Sequence, residues 1–406
     1  MSEMQKEKIT DHGISSLVQF RENKFLSFDR NDKTEYSFRV YQDGFAGIQY
    51  RSCKTSDEEG YALAESNLAL KRPYKFGQET GVRHRDKTEK CYTDKEIIQM
   101  AREILQYAVQ TYPDFTFSGS FGQYDDVVSM ENSKGMDYVN RDCSTSLDIS
   151  FKHKDSKDIS DGFFSFSMRT FDMEKAREII DNNLSNFTNV LEIPEELILQ
   201  NQYYGLISKL RTELDAESMA LGTSLLSGKI GQKLFSEDFT LVHDVSDEIT
   251  WNNPFFDGEG VVMPDDKVTF IENGVLLRGY ADKHTADKYG VEATGSAGFQ
   301  YSDIPHSGGV NLQIKRSTKT IRELLNGRYS FIPVQSSGGG FNEKGDYVMP
   351  MQVSFLSDGE KILGRLPEFT ISVNLFDMFG DNFIGVGSDQ PIFNDKSILV
   401  KVNRVK

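Results

Sequence analysis

The chain reads as an α+β protein: an N-terminal α/β domain over residues 1–190, built of hairpin-plus-helix units, then a mainly antiparallel β domain over residues 191–406. Three observations predict this. A length of 406 residues exceeds what one ordinary core organises, so two domains are expected. The first half sets stretches of helical apolar spacing among alternating, strand-like runs. After Gly222 the chain turns rich in glycine and in turn dipeptides that join alternating segments.

Taken in order, the run from Gly13 to Phe28 carries alternating apolar residues, and a second such run spans Tyr36 to Tyr41. Asp43-Gly44 is a turn signal, and Phe45 to Tyr50 resumes the alternation, as a hairpin should. A helix is expected over Asp57 to Leu70, ending before Pro73. The strongest helix signal is Asp94 to Thr111, where Ile97, Ile98, Ala101, Ile104, Leu105, Ala108 and Val109 recur at helical spacing behind a Thr93/Glu96 capping box. Strands are expected at Phe115–Tyr124, Val127–Met130, Ser144–Lys152 and Gly162–Met168. A helix over Met173–Leu184 should be capped by Asp172. The segment from Phe25 to Tyr50 resembles that from Val127 to Lys152, which suggests a duplicated hairpin-plus-helix unit or chance likeness between amphipathic strands.

Residues Asn189 to Glu196 read as a linker that opens a helix, with Pro194 near its first turn, followed by Leu206, Ile207, Leu210 and Leu214 at helical spacing. Asn273-Gly274 marks a hairpin with a type I′ turn, and Asp358-Gly359 repeats the device. Short helices are expected over Asp282–Tyr289, stopped by Gly290, and Thr320–Asn326, stopped by Gly327. The last strands are Glu368–Leu375 and Ser397–Val405.

The formal charge of −16 gives a surface that repels phosphate backbones and anionic lipid. Neither nucleic acid nor a membrane is expected as a partner. Met1 to Lys8 is polar and lacks the apolar stretch of a signal peptide, and no apolar run reaches membrane-spanning length, so a cytoplasmic protein is expected. Cys53, Cys91 and Cys143 show no metal-type spacing and read as reduced thiols.

The second half resembles the TldD/PmbA family. The likeness rests on four ordered blocks: TSLLSGKIGQKLFSEDFTLVHD from Thr223, PFFDGEGV from Pro254, IENGVLLRGYADKHTADKYGVEATG from Ile271, and the stretch from Gly345 to Asp389 that opens GDYVMPMQVSF. The first half is similar to the family's N-terminal domain more loosely. The resemblance implies an N-terminal α/β domain, a β-rich C-terminal domain, dimers or heteromers, and peptidase chemistry in members with a zinc site. In those members a His-Glu-x-x-x-His helix precedes the block matched here by Thr223, and a C-terminal Cys adds a ligand. Zinc there wants three protein ligands and one open position for the water it activates.

This chain departs from that pattern. The corresponding segment, Ile207 to Thr212, contains neither His nor Glu, and no cysteine follows Cys143. The six histidines, His12, His84, His153, His243, His284 and His306, show no paired metal motif. The resemblance therefore points to the metal-free PmbA, or TldE, branch. It implies a peptide substrate, no cofactor of its own, and as partner a zinc-bearing TldD-type subunit, a second copy of itself, or both. Two alternatives stay open: a peptide-binding scaffold that forms homodimers, and an independent peptidase with unrelated ligands such as His243, Asp257 and Glu259. The label "modulator of DNA gyrase" is attached to the family, but no residue here supports gyrase binding.

Asp257 and Glu259 form a carboxylate pair in a glycine-rich turn, suited to a metal or a peptide amine, or simply to a tight turn. His243 follows an alternating strand, and no nucleophile-elbow pattern surrounds nearby Ser224 or Ser227. Gly338, Gly339 and Gly340 sit in SSGGGF, which either cradles an anion with backbone N–H groups or is a flexible loop. GSAGF at Gly295 is similar in kind.

Overall fold

The computed structural model describes residues 3–157, 159–246, 253–392 and 396–405. Strand β1 (Gln5–Arg21) turns back into β2 (Lys24–Gln42), which turns again into β3 (Phe45–Arg51) and helix α1 (Asp57–Ser66). The first turn corrects the single run expected from Gly13 to Phe28: Glu22 and Asn23 both take positive φ and split it. No glycine marks this turn. It is held from outside, because the Asn23 side chain donates to the Phe115 carbonyl and accepts from the Phe117 N–H. Beyond Ser66 the expected helix tightens into a single 3₁₀ turn, Asn67–Leu70.

Two short strands follow, β4 (Arg72–Pro73) and β5 (Gly81–Asp86), then helix α2 (Asp94–Thr111) with its Thr93/Glu96 capping box formed. Strand β6 (Phe115–Asn132) is one strand rather than the two expected, because Asp125 and Asp126 continue the pairing with β7 (Met136–His153). Strand β8 (Gly162–Met168) and helix α3 (Met173–Leu184) complete the half. All eight strands form one sheet in the order β4-β3-β2-β1-β6-β7-β5, with β8 also pairing β7. The order of elements repeats, displaced by one strand from the likeness read in the sequence. Each unit is a three-stranded meander plus a helix, β1-β2-β3-α1 and β6-β7-β8-α3, with β1 and β6 side by side. Helix α2 lays Ile97, Ala101, Ile104 and Ala108 into the same cluster as Phe117, Phe121, Leu147 and Ile149. That cluster also takes in Ile332, Val353, Phe355 and Ile362, so the two halves share apolar surface.

The linker region departs from expectation. Instead of opening a helix at Pro194, the chain forms strand β9 (Leu197–Gln202) before helix α4 (Tyr203–Glu213). Leu197, Ile198 and Leu199 are all buried, and a strand satisfies their backbone by pairing with the last strand of the chain. Helix α5 (Ala216–Leu221) ends at Gly222, and strand β10 (Leu241–Asp244) follows. The Asn273-Gly274 turn joins β11 (Lys267–Glu272) to a short β12 (Val275–Leu276), both turn residues at positive φ. Helix α6 (Lys283–Tyr289) and strand β13 (Leu312–Ile314) lead to α7 (Ile321–Leu325), capped by Thr320 and Glu323.

The remaining strands are β14 (Ser330–Ser336), β15 (Gly340–Phe341), β16 (Asp346–Ser357), β17 (Ile362–Leu366), β18 (Phe369–Asn374), β19 (Phe383–Val386) and β20 (Ser397–Val405), with helix α8 (Leu375–Phe379) after β18. Strands β14, β9, β20, β18 and β16 close on themselves, since β14 also pairs β16. Pairing round this ring is antiparallel except between β14 and β9. A small separate sheet runs β12-β11-β10-β13. Helix α4 buries Leu206, Ile207 and Leu210, with Leu214 just past its end, in the cluster shared by this sheet and the ring, as their spacing predicted. No helix among the described residues is long and apolar enough to cross a membrane.

Leu210 is fully buried in that cluster, so Leu210→Ala is expected to lower stability by about 2–5 kcal/mol. Urea unfolding followed by circular dichroism measures it, and an unchanged midpoint contradicts the packing described for α4.

Candidate functional site

The turn at Asp257 is built by one carboxylate. Asp257 Oδ1 accepts from the N–H groups of Glu259 and Val261, each at 2.9 Å, and Oδ2 accepts from the Ala297 N–H at 3.0 Å. Glycine is required beside it, because a Cβ on Gly258 would stand 2.2 Å from the Gly298 carbonyl oxygen. Gly260 holds φ at +74°.

Glu259 is occupied in a different way. Its Oε1 accepts from the Tyr74 hydroxyl at 2.9 Å and its Oε2 from the Lys283 N–H at 2.8 Å. Burial raises the Asp257 carboxyl to about 6. Burial, and then the charge of Asp257, raises Glu259 to about 8. Above this turn sits Arg39 from β2, with no solvent exposure. It donates to the Gly258 carbonyl at 2.7 Å, to the Gln300 carbonyl at 2.9 Å and to Glu7 at 3.2 Å. Glu7 in turn accepts from the Tyr41 hydroxyl at 2.8 Å. First-half residues thus complete a turn that belongs to the second half.

A second clamp lies nearby. Arg83 on β5 makes two hydrogen bonds of 2.7 Å to Asp266, and Arg85 donates to the Val245 carbonyl at 3.0 Å. Both guanidinium groups lie over the Phe255 ring, at 4.1 and 5.3 Å from its centroid.

Behind this junction is a cavity of about 270 Å³. His243, Asp257 and Arg211 line it together with Phe255, Phe256 and Asn311. His243 stands on β10, where Nδ1 accepts the Asn311 N–H at 2.9 Å. Burial lowers its pKa to about 4. At neutral pH it is therefore an uncharged imidazole with its proton on Nε2. Asp244 next to it turns away to Lys267, at 2.8 Å, and to Ser246, which hold its carboxyl below the usual range. Arg211, on α4, donates to the Gly308 carbonyl at 2.5 Å and has no carboxylate partner among the described residues.

The sequence-predicted residues therefore part company. His243 and Asp257 share the cavity wall; Glu259 adjoins Asp257 but faces Tyr74 and Lys283. Gly338, Gly339 and Gly340 take positive φ where β14 passes into β15, and none of them lines this cavity. Asp257 and His243 were legible as candidates. Arg211 was not, because a lone arginine on an amphipathic helix carries no motif.

Zinc asks for three His, Cys or carboxylate ligands around one open position. The cavity wall offers one imidazole, one carboxylate whose two oxygens are held by backbone N–H groups, and a guanidinium. That donor set does not fit the ion. It fits a ligand that accepts hydrogen bonds: two donors, one of them charged, set among Phe255, Phe256 and Phe299.

Residues 196–402 match the family model described as PmbA/TldA metallopeptidase C-terminal domain. An uncharacterized protein of Methanocaldococcus jannaschii is 26% identical over 90% of either chain. A metalloprotease of Methanothermobacter thermautotrophicus is 29% identical over 43% of this chain and 38% of its own length. The crystal structure of TldE from Thermococcus kodakarensis superposes with a TM-score of 0.80 at 18% identity, covering 98% of this chain and 96% of that one. The fold is shared along nearly the whole length.

The raised pKa of Glu259 has a sign in stability. Between about 4.5 and about 8 the unfolded chain has given up this proton while the folded chain keeps it, so stability falls as pH rises through that window. Glu259→Gln removes the effect. Relative to the unaltered chain, the variant is expected to gain about 3 kcal/mol of stability from pH 5.5 to pH 8. Urea midpoints at the two pH values measure this, and a difference that does not change with pH contradicts the assignment.

Proposed function

The chain belongs to the PmbA/TldD metallopeptidase family, and from that premise we propose that it is the metal-free subunit of a cytoplasmic peptidase complex. A zinc-bearing relative supplies hydrolysis, and this chain supplies a peptide-binding wall. The single observation that supports the reading is the face of α4 toward the cavity. At the segment where zinc-bearing members are expected to carry their ligands, this chain presents Arg211.

An uncharged His243 and a charged Arg211 suit a peptide carbonyl or carboxylate, and the phenylalanine walls suit an apolar side chain beside it. A peptidase acting alone through His243, Asp257 and Glu259 is less well supported. Asp257 is committed to three backbone donors and Glu259 to Tyr74 and Lys283.

Affinity purification of the tagged chain from its own cells is expected to recover a partner bearing His-Glu-x-x-x-His. Repeated recovery of the chain alone would count against the reading. Within the complex, Arg211→Ala is expected to raise KM for peptide about tenfold or more, the loss of one charged hydrogen bond, with a smaller change in kcat. An unchanged KM removes Arg211 from the binding wall.

A further inference from the structure

All three cysteines are free thiols, yet two of them meet. Cys91 lies in the loop between β5 and α2, and Cys143 lies on β7. Asp125 on β6 stands directly opposite Cys143 in the antiparallel register. The two sulfurs and a carboxylate oxygen of Asp125 all lie within 4.8 Å of one another. Among the described residues this is the one group of three or more His, Cys, Asp or Glu side chains gathered so closely. Cys143 is buried beneath, and Cys91 is exposed above, so the group opens to solvent on one side.

We propose that Cys91, Cys143 and Asp125 form a binding site for one thiophilic divalent cation of the zinc class, remote in sequence from the cavity described above. Two thiolates and a carboxylate are a ligand set that such cations select over magnesium or calcium. A tetrahedral ion at ~2.3 Å from sulfur and ~2.0 Å from oxygen holds its ligand atoms roughly 3.5 Å apart. The observed spacing needs only a modest contraction to reach that. A disulfide would draw the sulfurs to ~2.05 Å, a larger movement of the Cys91 loop toward β7.

Arg141 completes the site. It donates to both Asp125 oxygens at 3.0 Å and to Cys91 Sγ at 3.9 Å. Each carboxylate oxygen keeps a second lone pair for the ion. The three negative charges of the ligands are balanced by two on the cation and one on Arg141. Binding releases the two thiol protons to water and changes no oxidation state. The fourth position faces solvent.

The test uses the full chain, reduced and stripped of metal with a chelator, then titrated with Co²⁺ under argon. One equivalent is expected to give a thiolate-to-cobalt charge-transfer band that Zn²⁺ displaces. Cys91→Ser and Cys143→Ser should each abolish the band, Cys53→Ser should leave it unchanged, and Asp125→Asn should weaken apparent affinity about tenfold. Cys91 is exposed, so its serine variant carries the test should the Cys143 variant fail to fold. No band in the reduced protein, or a band that survives Cys91→Ser, overturns the proposal. So does a Cys91–Cys143 disulfide in freshly isolated protein together with no cobalt uptake after its reduction. The readout does not involve peptide hydrolysis, so it stands or falls apart from the proposed function.

Discussion

A guanidinium that no water reaches is tolerable only where protein atoms replace its hydration. Arg39 meets most of that condition by lying across the junction of the two halves: both terminal nitrogens are bonded, and Nε–H is left without a hydrogen-bond partner. Its hydrogen bonds run to Glu7 on β1 and to two carbonyls of the second half, at Gly258 and Gln300. Neither half satisfies Arg39 alone. Separating them would keep the Arg39–Glu7 pair but break its two hydrogen bonds to the second half, leaving those groups to be met by water. Tyr74 reaching to Glu259, and Arg83 and Arg85 reaching to Asp266, repeat the arrangement along the same seam. The shared apolar cluster holds the halves together without direction, and these polar contacts fix how they meet.

The cavity follows from that seam. Asp257 shapes the turn, the turn presents Phe255 and Phe256, and the first-half arginines lie over the outer face of Phe255. Helix α4 is fixed by buried Leu206, Ile207 and Leu210, and its Arg211 also lines the cavity. His243 joins them through the short β10 ladder and is kept uncharged by burial. The chemistry offered is hydrogen-bond donation within apolar walls. Those are the features the proposed peptide-binding wall relies on, with Arg211 on the helix segment where zinc-bearing relatives are expected to carry their ligands.

Much of the fold was legible because local signals and tertiary structure agreed. The capping box at Thr93, the Asn273-Gly274 turn and the stripe of α2 all lie where periodicity and turn residues placed them. The failures share a cause. The Glu22-Asn23 turn is held by residues 115–117, β9 is a strand because β20 lies beside it, and β6 runs through Asp125 because Arg141 on β7 neutralises it. Each depends on a partner distant in sequence, which composition and spacing do not encode. The site behaved alike. Asp257 and His243 stood out as residue types, whereas Arg39, Arg211 and the Cys91–Cys143 pair become visible only once strands are laid side by side.

Whether this chain completes a catalytic site belonging to another is decided by steady-state hydrolysis of a short peptide, measured for this chain alone, for the zinc-bearing relative alone and for their mixture. No turnover is expected from this chain alone. The rate of the relative is expected to rise as this chain is added and to saturate at a fixed stoichiometry. Full turnover by this chain alone, or a relative whose rate ignores its addition, would overturn the proposal.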